Sequence, residues 1–200
     1  MNGPDIANLA ELHISCFKDS LVGALGEVYV RRFYDYVTTS EKEFVAVERD
    51  RQGRIIATAV LSLEPVTLNR RLLLHTPLLP RLLRRIPSVL AMLLSTATRS
   101  WRTPTNSRAY PPATRPELIL ILTAPAHRSK GLGGALIRQI ERRLEALNVS
   151  EYEVRTLADP QNAALRFYRR LAFVPAGHAF RLGTCFQVFT RTLRESTTPL

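Results

Sequence analysis

The sequence has few cysteines and no long apolar run free of charge. Its 200 residues include only two cysteines, Cys16 and Cys185, too few for the disulfide framework of a small secreted domain. Residues 1–17 lack the basic start and apolar run of a secretory signal. The longest charge-free apolar stretch, Ile86–Thr98, is far below the roughly 20 residues that a membrane-spanning helix needs. These absences predict a cytoplasmic protein without a transmembrane segment.

Acidic residues are scarce in one part of the chain. Residues 64–115 contain nine arginines and one glutamate, which supply most of the net charge of +11. A nucleic-acid surface normally spreads its basic residues over several elements and interleaves aromatics with them. Here the basic stretch offers only Trp101 and Tyr110. We therefore expect no nucleic-acid partner.

The remaining pattern predicts one α/β domain, because 200 residues that are 46% hydrophobic can form a single core. Residues 65–112 are rich in Leu, Arg and Pro, and we interpret them as an insertion with an amphipathic helix near 82–93. Around it, apolar periodicity predicts the following order: helix from Asp5, helix 21–37, hairpin strands 44–48 and 54–63, strand 117–123, helix 133–147, strand 152–157, helix 163–171 and two final strands broken near Gly183.

Glycine is also scarce, and its densest cluster is HRSKGLGGAL, residues 127–136. A glycine turn between a strand and a helix directs backbone N–H groups and the helix dipole at one point, which suits a phosphate or pyrophosphate. A nucleoside triphosphate is excluded because no Lys-Ser/Thr pair follows a glycine here. A dinucleotide is disfavoured because Leu136 stands where the third glycine of that fingerprint belongs.

The remaining pattern is Arg128, Gly131 and Gly133, preceded by Pro125. It resembles the acetyl-CoA motif of the GNAT acyltransferase superfamily, V-x-P followed by Q/R-x-x-G-x-G/A. A second segment, QNAALRFYRRLAF at 161–173, is similar to a later motif of that superfamily. It departs from that motif twice: Gln161 stands in place of the usual Asn, and Ala172 in place of the usual Gly.

The resemblance covers residues 5–193 apart from the insertion. It implies a GNAT fold, a central mixed and twisted β-sheet flanked by helices, as one domain over 1–200. The Arg-rich helical insertion at about 65–112 would then lie between the third and fourth strands of the family. No counterpart of the family's first strand precedes Asp5, so that strand is missing or the chain is shortened.

The resemblance also implies how acetyl-CoA is held. Residues 121–123 would pair with the pantetheine arm, and residues 129–134 would hold the pyrophosphate with charge from Arg128 and Lys130. Either Gln161 or Asn162 would meet the cofactor. The implied contacts are Ile121, Leu122, Thr123, Arg128, Ser129, Lys130, Gly131, Leu132, Gly133, Gly134, Gln161 and Asn162.

The implied activity is acetyl transfer from acetyl-CoA to the amine of a small molecule, an amino sugar or a peptide, by direct attack on the thioester. Tyr168 is the expected general acid, since a phenol of pKa about 10 can protonate a thiolate of pKa about 8.5. Glu117 is the expected base, acting directly or through water. Residues 117, 119, 121 and 123 are expected to share one strand face, which directs this carboxylate along the sheet.

Several alternatives stay open. His13, His75, His127 and His178 are other candidates for the base, and none has metal-ligand spacing, so no metal is expected. The fold would also serve a non-catalytic acetyl-CoA sensor or assembly module. The insertion would form a lid, a homodimer face, a docking surface for an acidic partner or an anionic membrane, or a cover for the sheet. The expected acceptor-site residues are Cys16, Phe17, Ser20, Tyr34 and Phe180–Phe186.

Overall fold

The computed structural model describes residues 1, 3–17, 26–75, 114–181 and 184–193. The elements in chain order are α1 (Gly3–Cys16), α2 (Glu27–Thr39), β1 (Glu43–Arg49), β2 (Ile55–Ser62), α3 (Pro65–His75), β3 (Glu117–Thr123), a short 3₁₀ turn (Pro125–His127), α4 (Leu132–Ala146), β4 (Glu151–Leu157), α5 (Ala163–Arg170), β5 (Val174–Arg181) and β6 (Thr184–Thr192). The predicted helix near 82–93, the start of the second helix and the break near Gly183 lie outside the described residues.

The six strands form one mixed sheet in the order β1-β2-β3-β4-β6-β5. Among the described strands, only β3 and β4 are parallel neighbours, and α4 makes the crossover between them. Every other neighbouring pair is antiparallel. The predicted central mixed sheet with flanking helices is therefore confirmed.

Local sequence explains where the connections turn. The β1–β2 turn uses Gly53 at φ +80°, a left-handed conformation that favours glycine. Asp50 stabilises this turn, because its carboxylate accepts backbone N–H bonds from Gln52 and Arg54, each at 2.9 Å. The strand prediction for this hairpin was correct to within one residue at each outer end.

The two faces of the sheet carry separate hydrophobic clusters. We call the cluster beneath α4 and α5 the first core; in α4 the buried residues Leu136, Ile137, Ile140 and Leu144 recur at helical spacing. We call the cluster beneath α1, α2 and α3 the second core, and its fully buried helical members are Leu9, Ala10, Val30 and Tyr34. The sheet thus separates an α4/α5 side from an α1/α2/α3 side.

Helix α3 was not predicted, because the leucine- and arginine-rich composition of the stretch after Pro65 was taken for the start of an insertion. Leu68 and Leu72 of this helix are buried in the second core. Arg71 donates to the hydroxyl of Tyr36 at 3.0 Å and to the carboxylate of Glu64 at 2.9 Å. The first eleven residues of the segment are therefore part of the domain's packing.

None of the helices within the described ranges has both the length and the apolar character needed to cross a membrane.

Candidate functional site

The central feature of the sheet is a gap between two of its strands. β3 and β4 pair only at Glu117–Glu153 and Leu118–Val154. Beyond that point β3 stays paired with β2, and β4 stays paired with β6. The two parallel strands therefore diverge, and we call the gap along Ile119–Thr123 the fork.

A bulge lies at the start of the fork. Val60 of β2 faces Leu120, and the next residue, Leu61, faces Leu118. Ile119 is the extra residue on β3, and such an insertion bends a strand and disrupts the alternation of its side chains. The bulge coincides with the point where β3 leaves β4.

The bulge corrects the predicted face of β3. Strict alternation placed residues 117, 119, 121 and 123 on one side of the sheet. Instead Ile119 packs against the second core and Ile121 against the first. Leu118 belongs to the first core, and successive side chains of a strand point to opposite faces of the sheet. Glu117 therefore lies on the α1/α2/α3 side and does not share a face with Ile121.

Backbone direction distinguishes the three β3 residues predicted to meet the pantetheine arm. The N–H of Ala124 donates to the carbonyl of Ile56 on β2 at 2.9 Å. Because main-chain groups alternate along an antiparallel strand, Leu122 also directs its polar groups at β2. Ile121 and Thr123 direct theirs at the fork. The structure thus brings two of the three residues to the fork, and Leu122 is not one of them.

The Thr123 carbonyl confirms this direction. It accepts a hydrogen bond from the Cys16 thiol at 3.5 Å and one from Arg128 Nε at 3.4 Å. Both donors lie on the side away from β2. The end of α1 and the start of the glycine turn therefore meet at the far end of the fork.

The glycine turn has the form that an anion requires. Gly131 adopts φ +79° and is the N-cap of α4, and no side chain caps this helix. The first backbone bond of α4 runs from the N–H of Ala135 to the carbonyl of Gly131 at 3.1 Å. The amides of 132–134 therefore stand at the positive end of the helix dipole. Arg128 and Lys130 beside them are exposed, so the turn fits a phosphate group.

Gly133 joins the turn to the second sequence motif. A Cβ at this position would lie 2.9 Å from the ring of Phe167 and 3.8 Å from Cδ1 of Ile121. A glycine is therefore needed for α5 to pack against the first turn of α4. At Gly134 the nearest atom would be 3.6 Å away, on Arg138, which is an ordinary contact. The two motifs, about 30 residues apart in sequence, thus meet beside the fork.

Tyr168 lies on α5 next to Phe167 and is 4% exposed. Its ring contacts Phe167, Phe173 and Phe189 at centroid distances of 5.1, 5.3 and 5.8 Å. Burial raises the pKa of its hydroxyl above the ordinary value, so the hydroxyl keeps its proton throughout the neutral range. A protonated hydroxyl is the form that a general acid needs.

The two amide side chains before α5 differ in their surroundings. Asn162 caps the helix, because its Oδ1 accepts from the N–H of Ala164 at 3.0 Å. Its Nδ2 donates to Thr156 Oγ1 and to the Leu157 carbonyl. Gln161 is exposed. Asn162 therefore uses its amide to hold the fold, which favours Gln161 as the residue that meets a ligand.

Glu117 lies where β3 and β4 are still paired, which we call the closed end of the fork. The charged groups around it were not identified from the sequence. The Oε1 atom of Glu117 is 3.8 Å from Arg155 Nε. Arg155 also donates to the buried carboxylate of Glu153 through Nη2 at 2.6 Å and Nε at 3.2 Å. Nearby, Arg115 forms an ion pair with Glu151 at 2.9 Å.

These charges belong to a row of polar residues that crosses the sheet. Glu43, Ser62, Glu117 and Glu153 are successive partners on β1, β2, β3 and β4. We call them the polar row. In EYEVRTL the alternation of Glu153 and Arg155 with the apolar Tyr152 and Val154 was the available signal. The strand register that aligns the four residues was not readable from the sequence.

The alternative bases are distributed over the molecule. His13 is buried in the second core, its Nδ1 lies 3.1 Å from the Tyr34 hydroxyl, and burial lowers its pKa from 6.5 to about 4. His127 lies in the turn after β3 and its Nδ1 is buried without a partner. His178 is an exposed residue of β5. Tyr34 is fully buried, which corrects its predicted place in the acceptor site, and Ser20 lies outside the described residues.

Within the described ranges, no group of three or more His, Cys, Asp or Glu side chains is arranged to hold a metal ion.

Comparison with known sequences gives one family match. The model of the Acetyltransferase (GNAT) family matches residues 88–173. This range contains the glycine turn, both strands of the fork and Tyr168. A search of curated proteins finds no match.

Comparison with solved structures shows the fold. A Corynebacterium glutamicum structure described as histone acetyltransferase HPA2 and related acetyltransferase has a TM-score of 0.60 at 15% identity, covering 99% of this chain and 96% of that one. A Sinorhizobium meliloti GNAT superfamily phosphinothricin acetyltransferase in complex with AcCoA has a TM-score of 0.57 at 17% identity, with coverages of 100% and 89%. The Escherichia coli ribosomal-protein-S18-alanine N-acetyltransferase has a TM-score of 0.56 at 13% identity, with coverages of 100% and 95%.

The forked mixed sheet, the glycine turn at the start of α4 and the family match over 88–173 agree with one another. The chain has the fold of the GNAT acetyltransferases, and its residues 88–173 match the model of that family.

Proposed function

We propose that this chain transfers an acetyl group from acetyl-CoA to the amine of a small molecule, an amino sugar or a peptide. The observation that carries the proposal is the fork, with the glycine turn at its far end and α5 beside it. A strand edge and a helix N-terminus together match the two polar parts of acetyl-CoA, the amide-containing arm and the pyrophosphate.

The residues assigned to acetyl-CoA follow from this arrangement. The backbones of Ile121 and Thr123 would pair with the pantetheine amides along the fork. The amides of residues 129–134 would receive the pyrophosphate, with Arg128 and Lys130 adding positive charge. Gln161 is the amide assigned to the cofactor, since Asn162 is engaged in capping α5.

Acetyl transfer then proceeds by direct attack. The amine nitrogen forms a bond to the thioester carbonyl carbon and gives a tetrahedral intermediate. This intermediate breaks its C–S bond, so that an amide and a thiolate result. The nitrogen loses one proton and the thiolate gains one, and the reaction therefore requires one base and one acid.

Tyr168 is the proposed acid. Its buried hydroxyl is protonated at neutral pH, and its neighbour Phe167 packs on Gly133 at the start of α4. Donation of this proton to the departing sulfur gives the neutral thiol and leaves a phenolate on Tyr168, which regains its proton from water before the next turnover. The same ring contacts would be expected of a purely structural tyrosine, and replacement by Phe separates the two roles because it keeps the ring.

Glu117 is the proposed base, acting directly or through water. It lies at the closed end of the fork, and its side chain is 16% exposed. It faces the α1/α2/α3 side of the sheet, opposite to α4 and α5. Burial lowers the pKa of His13 and encloses its ring in the second core, which disfavours it as the base.

The similar structures include a histone acetyltransferase, a phosphinothricin acetyltransferase and a ribosomal-protein-S18-alanine N-acetyltransferase. Small-molecule and protein amines are both acceptors among them, so the acceptor class of this chain stays open. Residues 76–113, which make up most of the proposed insertion, lie outside the described residues. An acidic partner or a membrane surface at this insertion therefore stays a prediction.

The test is a thiol-release assay with acetyl-CoA and a panel of amines: amino sugars, amino acids, polyamines and peptides. We expect at least one amine to raise thiol release above background and to gain 42 Da by mass spectrometry, the mass of an added acetyl group. Acetyl-CoA binding without release for any amine would instead support the sensor or assembly module. Failure to bind acetyl-CoA by calorimetry would contradict both.

A further inference from the structure

The polar row lies on the sheet face opposite to α4 and α5, and three of its four members are carboxylates. Glu43 and Glu153 are buried, with side chains that are 0% and 1% exposed. Each has an arginine partner, Arg71 for Glu43 and Arg155 for Glu153. Glu117 lies between them and is the more exposed carboxylate of the three.

Register places Arg155 where it serves two carboxylates at once. Glu117 and Glu153 are direct partners across the parallel pair, so their side chains leave the sheet on the same face. Arg155 is two residues beyond Glu153 and therefore also on that face. Its guanidinium makes two contacts with Glu153, and its Nε lies 3.8 Å from Glu117.

The geometry points to Arg155 as a positioning residue for Glu117, with Glu153 as the anchor that fixes the guanidinium. The buried Glu153 carboxylate holds Arg155 in one place, because movement of the guanidinium away from it would leave the negative charge of Glu153 buried without a partner. The fixed guanidinium then favours the ionised form of Glu117, which is the form that accepts a proton. This inference rests on the proposed function, in which Glu117 is the base.

Other groups near Glu117 are less suited to this role. Ser62, its neighbour on β2, donates to Glu43 at 2.9 Å. Glu43 is two strands away, about 10 Å at the usual strand spacing, and is paired with Arg71. Cys16 of α1 contacts this strand at its opposite end, where its thiol donates to the Thr123 carbonyl. Arg115 forms a more exposed ion pair with Glu151.

The test measures the protonation of Glu117 directly. In the full chain labelled with ¹³C at the glutamate carboxyl carbon, the Glu117 resonance is identified by its loss in Glu117→Gln and is titrated with pH. We expect Arg155→Gln to raise the Glu117 pKa by about one unit or more, since an opposite charge at this range lowers a carboxyl pKa by 1–3 units. Arg155→Lys, which keeps the charge, should move it less.

Arg31→Gln is the control, because it removes an arginine from an exposed ion pair with Glu27 on α2. It should leave the Glu117 pKa within about 0.3 units of its original value. If Arg155→Gln fails to fold, Glu153→Gln/Arg155→Gln, which leaves no unpaired buried charge, is compared with Glu153→Gln instead. An unchanged Glu117 pKa in the folded Arg155 variant overturns the inference.

A kinetic readout separates this result from the proposed function. Detection of an acetylated amine with the wild-type chain would establish the proposed function independently of the Glu117 titration. Where activity is present, the acidic limb of the pH profile of kcat/KM should move upward in Arg155→Gln by the same amount as the Glu117 pKa. A uniform loss of activity at every pH, without that displacement, indicates a structural role only and contradicts the inference.

Discussion

The residues on the two sides of the fork are brought together in different ways. The side proposed to bind the cofactor consists of β3, the glycine turn, α4 and α5, which lie within residues 117–170 and contain two short motifs. The opposite side uses Glu43, Ser62, Glu117 and Glu153, which strand register brings into one row. Short-range spacing determines the first side, whereas long-range pairing determines the second. We expect substitutions on the two sides to have different consequences, cofactor binding on one and stability or proton transfer on the other.

The largest effect on stability is expected on the polar-row side, at Arg71. This residue pairs with Glu43, whose side chain is 0% exposed, and it also bonds Tyr36 and Glu64. Arg71→Ala should lower the free energy of unfolding by about 3–5 kcal/mol, because it leaves a buried carboxylate without its cation. The measurement is urea denaturation.

Arg31→Ala is the control for Arg71, because it removes an exposed i,i+4 pair with Glu27 whose side chains are 48% and 52% exposed. It should cost less than about 0.5 kcal/mol. Equal effects of the two substitutions would contradict the buried role of Glu43.

The largest effect on turnover is expected on the cofactor side. Tyr168→Phe keeps the ring contacts with Phe167, Phe173 and Phe189 and removes the hydroxyl. It should lower kcat by about 100-fold or more while the Kd for acetyl-CoA changes little, as expected for loss of a general acid. Steady-state kinetics and calorimetry measure the two quantities.

Tyr152→Phe is the matched control, since Tyr152 is a fully buried tyrosine of the same core whose hydroxyl contacts Glu141 at 3.0 Å. We expect its turnover to stay near that of the wild type. A Tyr168→Phe enzyme with unchanged kcat would assign that residue to packing alone.

A smaller effect is expected where α5 packs on the glycine turn. Gly133→Ala introduces a Cβ 2.9 Å from the Phe167 ring, and overpacking of this kind costs about 1–3 kcal/mol. At Gly134 the nearest atom would be 3.6 Å away, so Gly134→Ala should be close to neutral. Thermal unfolding of the two variants checks this, and a Gly134→Ala chain as unstable as Gly133→Ala would contradict the contact.

The stability of the second core is expected to depend on pH. Burial lowers the pKa of His13 from 6.5 to about 4, so between these values the unfolded chain binds a proton that the folded chain does not. This contribution to stability is complete above pH 6.5 and is lost as pH falls toward 4, with a slope of at most about 1.4 kcal/mol per unit. Denaturation at several pH values should show a weaker slope in His13→Gln.

His178→Gln tests the specificity of that result, because His178 is exposed. This variant should keep the slope of the wild type between pH 4 and 6.5. Identical slopes in the wild type and in His13→Gln would show that His13 does not contribute.

Sequence reasoning was most successful where structure is local. It predicted β3 and the start of α5 to the residue, because Pro116, Pro125 and Asn162 mark their ends. It missed α3, because the burial of Leu68 and Leu72 depends on tertiary contacts with the second core. It also assumed regular alternation along β3, which the bulge at Ile119 interrupts.

In the candidate site, too, the sequence predicted the residues that lie in short motifs but not those brought together by strand pairing. The glycine turn and the Tyr168 segment were identified from adjacent residues, and packing of Phe167 on Gly133 brings them together. Glu153 and Arg155 were overlooked, since their meeting with Glu117 depends on the pairing of two strands separated by α4. The distinction between Gln161 and Asn162 required the observed helix cap.

Two glycines offer the most direct test of the central claim, that the turn before α4 holds acetyl-CoA. Gly131 and Gly53 have φ values of +79° and +80°, and a Cβ at either would meet no atom within 4 Å. Alanine at each position should therefore cost about the same stability, roughly 1 kcal/mol. Calorimetric titration with acetyl-CoA should show one site in the wild type and in Gly53→Ala, and an affinity about tenfold weaker, or about 1.4 kcal/mol, in Gly131→Ala. Equal affinities in both variants, or no binding to the folded wild type, would contradict the account.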